Sequence, residues 1–295
     1  MDLTLVVQGH SVYLPAAIAM GVGVGFVAGM FGVGGGFLLV PLLHVLLGVP
    51  LAAAIGVGLC QIIATGLGTH LRYRKLGHAE SRFDVMLLGG SLLGVHAGAR
   101  LLHSLQGMGT VDIAGKQLVT IRLVVTAMYV ALFVVMAYLL WTRPAQSSDA
   151  DVVPGPLARV RIPPMADLPI AGLRGISGPF VGYIGFVNGV LAGMLGIGGG
   201  ICLIPIMMYG FGFNIRKVAG TGIIIVLFVA TLGTIQHARL GNVHLGLAVI
   251  LMTGSALSAQ VGASLTRSLS ANTLRRGLAI IMIITCLIML AKLLS

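Results

Sequence analysis

Apolar residues fill this chain in long, nearly uninterrupted blocks. Val12 to Met30, Leu51 to Leu71, Val119 to Trp141, Val218 to Ile235 and Gly277 to Leu294 are each near the roughly 20 residues that span hydrocarbon as helix. A helix apolar on every side buries itself in lipid or against others of its kind, so the chain is predicted to cross a membrane several times. In the first half the pattern predicts helices at 12 to 30, 37 to 48, 52 to 71, 83 to 103 and 118 to 141. The predicted fold class is all-α: a polytopic membrane protein of about 8–10 helical segments.

Composition agrees, with 57% hydrophobic residues, 8% charged residues and a mean hydropathy of +1.06. The N-terminal MDLTLVVQGHSVYLP has no Lys or Arg before its apolar run and no small-residue cleavage pattern, so it is not expected to be a secretory signal. Cys60, Cys202 and Cys286 sit in apolar segments without CxxC spacing, suggest neither a disulfide framework nor a zinc site, and read as packing residues. The net charge of +11 comes from bases scattered at helix ends rather than gathered on one face. That is the pattern of cytoplasmic loops under the positive-inside rule, and no nucleic-acid partner is expected.

The chain repeats itself. GFVAGMFGVGGGFLLVPLL (Gly25 to Leu43) returns as GVLAGMLGIGGGICLIPIM (Gly189 to Met207), an offset of 189 − 25 = 164, without a gap. GSLLGVHAGARL (Gly90 to Leu101) matches GSALSAQVGASL (Gly254 to Leu265) at the same offset. The segment from Thr142 to Pro169 is rich in Pro and charge and reads as a connection outside the bilayer. The expected organisation is a first transmembrane repeat at 1–141, a cytoplasmic linker at 142–175 and a second repeat at 176–295. Basic residues cluster at Arg72, Arg74, Lys75 and Arg82 and at Arg143, Arg159, Arg161 and Arg174. In the second half they fall at non-equivalent places, Arg216 with Lys217 and Arg267 with Arg275 and Arg276. One orientation satisfies both sets when the repeats are inserted in opposite senses, as in many secondary transporters.

Each repeat carries a glycine triplet, Gly34 to Gly36 in FGVGGGF and Gly198 to Gly200 in LGIGGGI. Consecutive glycines permit positive φ and leave the amides uncovered. Irregular backbone at membrane depth survives only where protein or a water-filled cavity covers it. Broken helices at matching places in two repeats point to a transporter's binding site, and exposed amides at a helix N-terminus receive anions. Gly21, Gly25 and Gly29, repeated as Gly185, Gly189 and Gly193, instead form GxxxG ladders suited to close helix packing. Gly23, Gly25 and Ala28 satisfy GxGxxA, but no strand precedes them and no acid follows at the dinucleotide-binding distance. There is no GxxxxGK[ST] phosphate loop, which argues against direct use of ATP.

The paired GMFGVGGGFLLVPLL and GMLGIGGGICLIPIM motifs, in an apolar chain of two similar halves, resemble the TauE/SafE sulfite exporter family. The resemblance covers nearly the whole chain and implies a multi-pass inner-membrane permease for sulfite, organosulfonates or related small anions, without a cofactor. It also implies a small-residue stretch after the short helix. The second half keeps Ala219, Gly220 and Thr221, whereas the first reads Ile55, Gly56, Val57 and Gly58, so that only Thr221 offers a hydroxyl.

All seven acids, Asp2, Glu80, Asp84, Asp112, Asp149, Asp151 and Asp167, fall in or beside predicted loops, which argues against an acid-based proton relay or a hydrolase built on paired carboxylates. His96, opposite Gln260 in the other repeat, is a candidate for contact with substrate or a proton. Gln61, Asn188, Ser91 and Ser255 read first as interhelical hydrogen-bonding groups, and His44, His70 and His237 as interfacial. The substrate-binding set expected from the sequence is Gly34, Gly35, Gly36, Gly198, Gly199, Gly200, Thr221, His96 and Gln260. The expected function is a secondary transporter for a small anion within a lipid bilayer, with a proton or sodium as candidate coupling ion. An anion-selective channel is the alternative, and a membrane enzyme is disfavoured for want of a nucleophile paired with an orienting group.

Overall fold

The computed structural model describes residues 4–32, 34–73, 81–107, 109–113, 116–142, 154–169, 171–213, 215–265 and 269–294. The first half begins with a hairpin of β1 (Thr4–Val7) and β2 (His10–Tyr13), then α1 (Leu14–Phe31), α2 (Gly36–Leu46), α3 (Leu51–Tyr73) and α4 (Ser81–Gln106). A second hairpin, β3 (Thr110–Ile113) with β4 (Lys116–Val119), leads into α5 (Thr120–Thr142). The second half opens with the hairpin β5 (Met165–Leu168) and β6 (Leu173–Ser177) and continues through α6 (Gly178–Leu195) and α7 (Gly200–Pro205). A π-helical turn, Ile206–Phe211, precedes α8 (Ile215–Arg239), α9 (Leu245–Leu265) and α10 (Ala271–Leu294).

Among the described residues, six helices are long and apolar enough to cross a membrane: Leu14–Phe31, Arg82–Gln106, Thr120–Thr142, Gly178–Leu195, Leu245–Leu265 and Asn272–Lys292. The all-α polytopic class expected from the sequence is the fold found. Two sequence expectations change. The first helix begins at Leu14 rather than Val12, because Val12 points inward from β2 between exposed Ser11 and Tyr13. The connection between the halves carries a 3₁₀ turn at Pro156–Arg159 and the β5–β6 hairpin, where low periodicity suggested neither.

Glycine ladders decide which helices touch. Gly21, Gly25 and Gly29 of α1 lie against the backbone of Leu251, Ser255 and Ala259 of α9, so the two run parallel. Gly185, Gly189 and Gly193 of α6 lie in the same way on Leu87, Ser91 and Val95 of α4. A Cβ at Gly25 would fall within 2.6 Å of the Ser255 carbonyl, so only glycine permits this approach. The first helix of each half thus packs on the fourth helix of the other. Two further pairs are antiparallel. In α3 and α8, Gly66 meets Leu227 while Gly233 meets Leu59. In α5 and α10, Arg122 Nη2 donates to the Lys292 carbonyl at 2.9 Å.

Contacts at the two ends of the bundle keep them distinct. At one end, Arg82 Nη1 donates to the Asp167 carbonyl at 3.1 Å, the Gly155 amide donates to Phe211 O at 3.2 Å, and Leu157 covers Gly210. Phe83 meets Phe211 edge-to-face and Phe213 at a tilt there, each at 5.1 Å between centroids. At the other end, Gln8 Nε2 donates to Gly241 O at 3.3 Å, tying the first hairpin to the α8–α9 turn. Arg275, expected in a loop, lies in the opening turns of α10 with its side chain buried.

Candidate functional site

Both breaks are built alike. Gly32 ends α1 at φ +68°, its amide bonded to Ala28 O at 2.8 Å, and Gly196 ends α6 at φ +70°, its amide bonded to Ala192 O at 2.9 Å. A left-handed glycine after a helix is the usual way to close its last carbonyls. Gly34 and Gly35 then take φ +80° and +24°, and Gly198 and Gly199 take +65° and +77°, before α2 and α7 begin.

The two breaks meet at the crossing of α3 and α8. A side chain on Gly34, Gly36 or Gly198 would strike Ile62 of α3, and one on Gly34 would also strike Val226 of α8, the counterpart of Ile62 at the offset of 226 − 62 = 164. A Cβ on Gly36 would collide with the Gly196 carbonyl of the other break. Residues 34–41 and 192–203 are all buried.

At the junction several carbonyls are occupied, while four backbone donors have no partner among the described residues. Gly34 O accepts from Gly36 N at 2.7 Å, Gly35 O from Leu38 and Leu39, and Gly199 O from Leu203 at 3.2 Å. Gly193 O accepts from His237 Nε2 at 2.9 Å, and Leu195 O accepts from the buried Tyr129 hydroxyl of α5. Among the described residues the amides of Gly34, Gly35, Gly198 and Gly199 donate no hydrogen bond. A buried donor without a partner costs about 1–3 kcal/mol. Such a set of inward-facing N–H groups, with no carboxylate beside it, is suited to a solute bearing oxygen lone pairs and negative charge.

The profile of the family described as Sulfite exporter TauE/SafE matches residues 17–289, both breaks included. The chain belongs to the TauE/SafE sulfite exporter family. Three bacterial relatives are described as probable membrane transporter proteins. One from Haemophilus influenzae is 24% identical over 95% of this chain and 99% of its own. YjnA of Bacillus subtilis is 25% identical over 91% and 96%, respectively. YunE of Bacillus subtilis is 31% identical over 34% of this chain and 37% of its own. No solved structure matches. Family membership and the membrane-spanning helices make this chain a multi-pass transporter of the cell inner membrane.

Around the TauE/SafE glycine motifs, the remaining residues named from the sequence are dispersed. Thr221 is buried on α8. His96 is half-buried on α4 and Gln260 is exposed on α9, and neither is among the side chains that the triplets meet. Ser91 does bond across helices, to Gly185 O at 3.0 Å, whereas Ser255 bonds Met252 O of its own helix at 3.2 Å. His237 is fully buried rather than interfacial. Its Nδ1 accepts from Asn242 Nδ2 at 3.3 Å, which leaves Nε2 as the donor to Gly193, a tautomer assigned from these partners. His44 bonds Val49 O at 2.9 Å and fastens the α2–α3 turn, while the His70 side chain lies outside the described residues.

Gln61 and Asn188 depart most from expectation. Expected to be interhelical hydrogen-bonding groups, they are buried at 0% and 2% exposure, with every side-chain amide nitrogen and oxygen unpartnered among the described residues. Tyr129 was not singled out from the sequence. Its signal was a lone phenol in the middle of an apolar span, where a buried hydroxyl needs an acceptor.

Proposed function

We propose that this protein is a secondary transporter for a small anion, most directly sulfite, an organosulfonate or a related sulfur oxyanion, working by alternating access at the paired glycine breaks. The observation that carries this reading is the meeting of two buried breaks at which, among the described residues, the amides of Gly34, Gly35, Gly198 and Gly199 are free. The amides of Gly34 and Gly35 and of Gly198 to Gly200 replace the solute's water shell, with the Thr221 hydroxyl as a further donor from α8. The solute crosses chemically unchanged.

In this reading, residues 1–141 and 176–295 are repeats inserted in opposite senses, joined by a cytoplasmic connection at 142–175. Support comes from α3 and α8, which correspond at the offset of 164 and cross antiparallel, as a two-fold axis in the membrane plane requires. The basic stretches at 72–82, 143–174, 216–217 and 267–276 adjoin helix ends on the side where Arg82, Asp167 and Phe211 meet, which makes that side cytoplasmic. Rocking one repeat against the other opens the junction to each side in turn. A proton or sodium gradient is the candidate driving force.

Counterflow in proteoliposomes tests the proposal. Vesicles loaded with unlabelled sulfite, thiosulfate or taurine should transiently accumulate the radiolabelled compound above equilibrium. Single-channel currents without counterflow would replace the carrier with a channel, and no flux of any of these anions would defeat the reading.

A further inference from the structure

Gln61 is on α3 and Asn188 on α6, and these are not matched positions. At the offset of 164 the counterpart of Gln61 is Ile225, and that of Asn188 is Val24. Yet each reaches the second glycine of a break. A Cβ on Gly35 would lie 2.8 Å from Gln61 Nε2 and 3.0 Å from its Oε1, and one on Gly199 would lie 3.1 Å from both Cγ and Oδ1 of Asn188, and nearer still to its Nδ2. Val24 is itself against Gly35, so the first break holds the apolar counterpart of Asn188 where the second holds the amide. Each break therefore receives one carboxamide, delivered from a different helix, and all four amide atoms are without a partner among the described residues.

Packing does not account for this arrangement. A repeated structure that needed only to fill space would put equivalent residues at equivalent positions, and an apolar side chain would do so without stranding polar atoms in a low-dielectric interior. Interhelical bonding does not account for it either, since neither amide bonds to anything among the described residues. What the two share is their position beside amides that also lack a partner, Gly34 and Gly35 on one side and Gly198 and Gly199 on the other.

We propose that Gln61 and Asn188 are the paired side-chain ligands of the transported solute, each donating an amide N–H to a different oxygen of one oxyanion bridging the two breaks. This rests on the transport reading above and adds the side chains that hold the ligand. Two carboxamide donors beside two pairs of backbone donors, with no Lys, Arg or carboxylate among the side chains the triplets meet, select a compact anion with several terminal oxygens. The solute is held by neutral dipoles, which lets the loaded site close without leaving a fixed charge behind when it empties. Sulfur oxyanions and sulfonate headgroups fit this description. A bare cation fits less well, because four carbonyls at the junction already accept hydrogen bonds from Leu38, Leu203, His237 and Tyr129.

The test uses the full chain and the near-isosteric apolar replacements Gln61→Met and Asn188→Leu, alone and together. Purified proteins are heated in detergent with increasing sulfite, thiosulfate, sulfate or taurine, and the same variants are assayed for uptake in proteoliposomes. The wild type should be raised in melting temperature by at least one of these anions. Each single variant should bind that anion about tenfold more weakly, as expected for losing one hydrogen bond to a charged group, with uptake falling in parallel. Without ligand, the variants should melt no lower than the wild type, because they remove unpartnered polar atoms. Affinity within twofold of wild type, or a lower melting temperature with affinity unchanged, would show a packing role and overturn this assignment while leaving the transport reading intact. A stabilisation produced by sodium without any test anion, and lost in both variants, would overturn the anionic ligand. A wild type that neither binds nor carries any of the anions would defeat the transport reading and this inference with it.

Discussion

The Tyr129 hydroxyl donates to the carbonyl of Leu195, the last residue of α6, one position before the left-handed glycine that opens the second break. Through this bond α5 fixes the backbone of a segment to which it is not adjacent in sequence. His237 does the same from α8 at Gly193, so the end of α6 is held from two directions. Side chains supply the hydrogen bonds that the interrupted helix lacks.

Tyr129→Phe should therefore lower stability by about 1–3 kcal/mol, the cost of leaving a buried acceptor unsatisfied with little change in volume. Thermal unfolding monitored by size-exclusion fluorescence would check it. Because Tyr129 also packs against Phe133, 5.5 Å away between centroids, the ring should stay in place and the loss should come from the hydroxyl alone.

His237→Ala and Asn242→Ala probe the second tie. The imidazole is buried between the Gly193 carbonyl and the Asn242 amide. His237→Ala strands both partners and leaves a cavity, so it should be the more damaging of the two. Asn242→Ala removes one neutral hydrogen bond and should cost about 1 kcal/mol. The order of their melting temperatures is the measurement, and an Asn242 variant less stable than the His237 variant would contradict this account.

Two glycines of α1 separate packing from propensity. At Gly25 a Cβ would run into the backbone of Ser255 and the side chain of Ser258, whereas at Gly23 nothing lies within 4 Å. Gly25→Ala should force α1 and α9 apart and sharply reduce the yield of monodisperse protein. Gly23→Ala should be neutral or stabilising by about 0.5–1 kcal/mol, since alanine loses less conformational freedom in a helix. Equal effects at the two positions would remove the helix contact as the reason for the ladder.

Topology is open to chemical labelling. The three native cysteines are buried, so cysteines introduced at exposed Ser11 in β2 and exposed Ile162 in the connection would report separately. In intact cells, a membrane-impermeant thiol reagent should label Ser11→Cys and spare Ile162→Cys until the membrane is opened. The reverse pattern would invert the proposed orientation.

Much of the fold was legible in the chain itself. Lipid demands a long apolar segment for every crossing, so helix existence and type follow from composition, and α3, α4 and α5 begin within two residues of their predicted starts. The glycine triplets marked both breaks, because consecutive residues without side chains have few other uses in an apolar helix. The GxxxG spacing marked the packing faces of α1 and α6, although it could not say which helix each would meet.

Only the tertiary structure decided that α1 lies on α9 and α4 on α6, and that the two breaks meet across Ile62. It also decided which polar groups are satisfied. Ser91 and Gln61 look alike in sequence, a single polar residue in an apolar span, yet Ser91 finds the Gly185 carbonyl and Gln61 finds nothing. The reason is physical: hydropathy is local and additive along the chain, so composition predicts which segments enter the membrane. A hydrogen bond depends on where a second segment arrives, and that is set by the packing of distant helices.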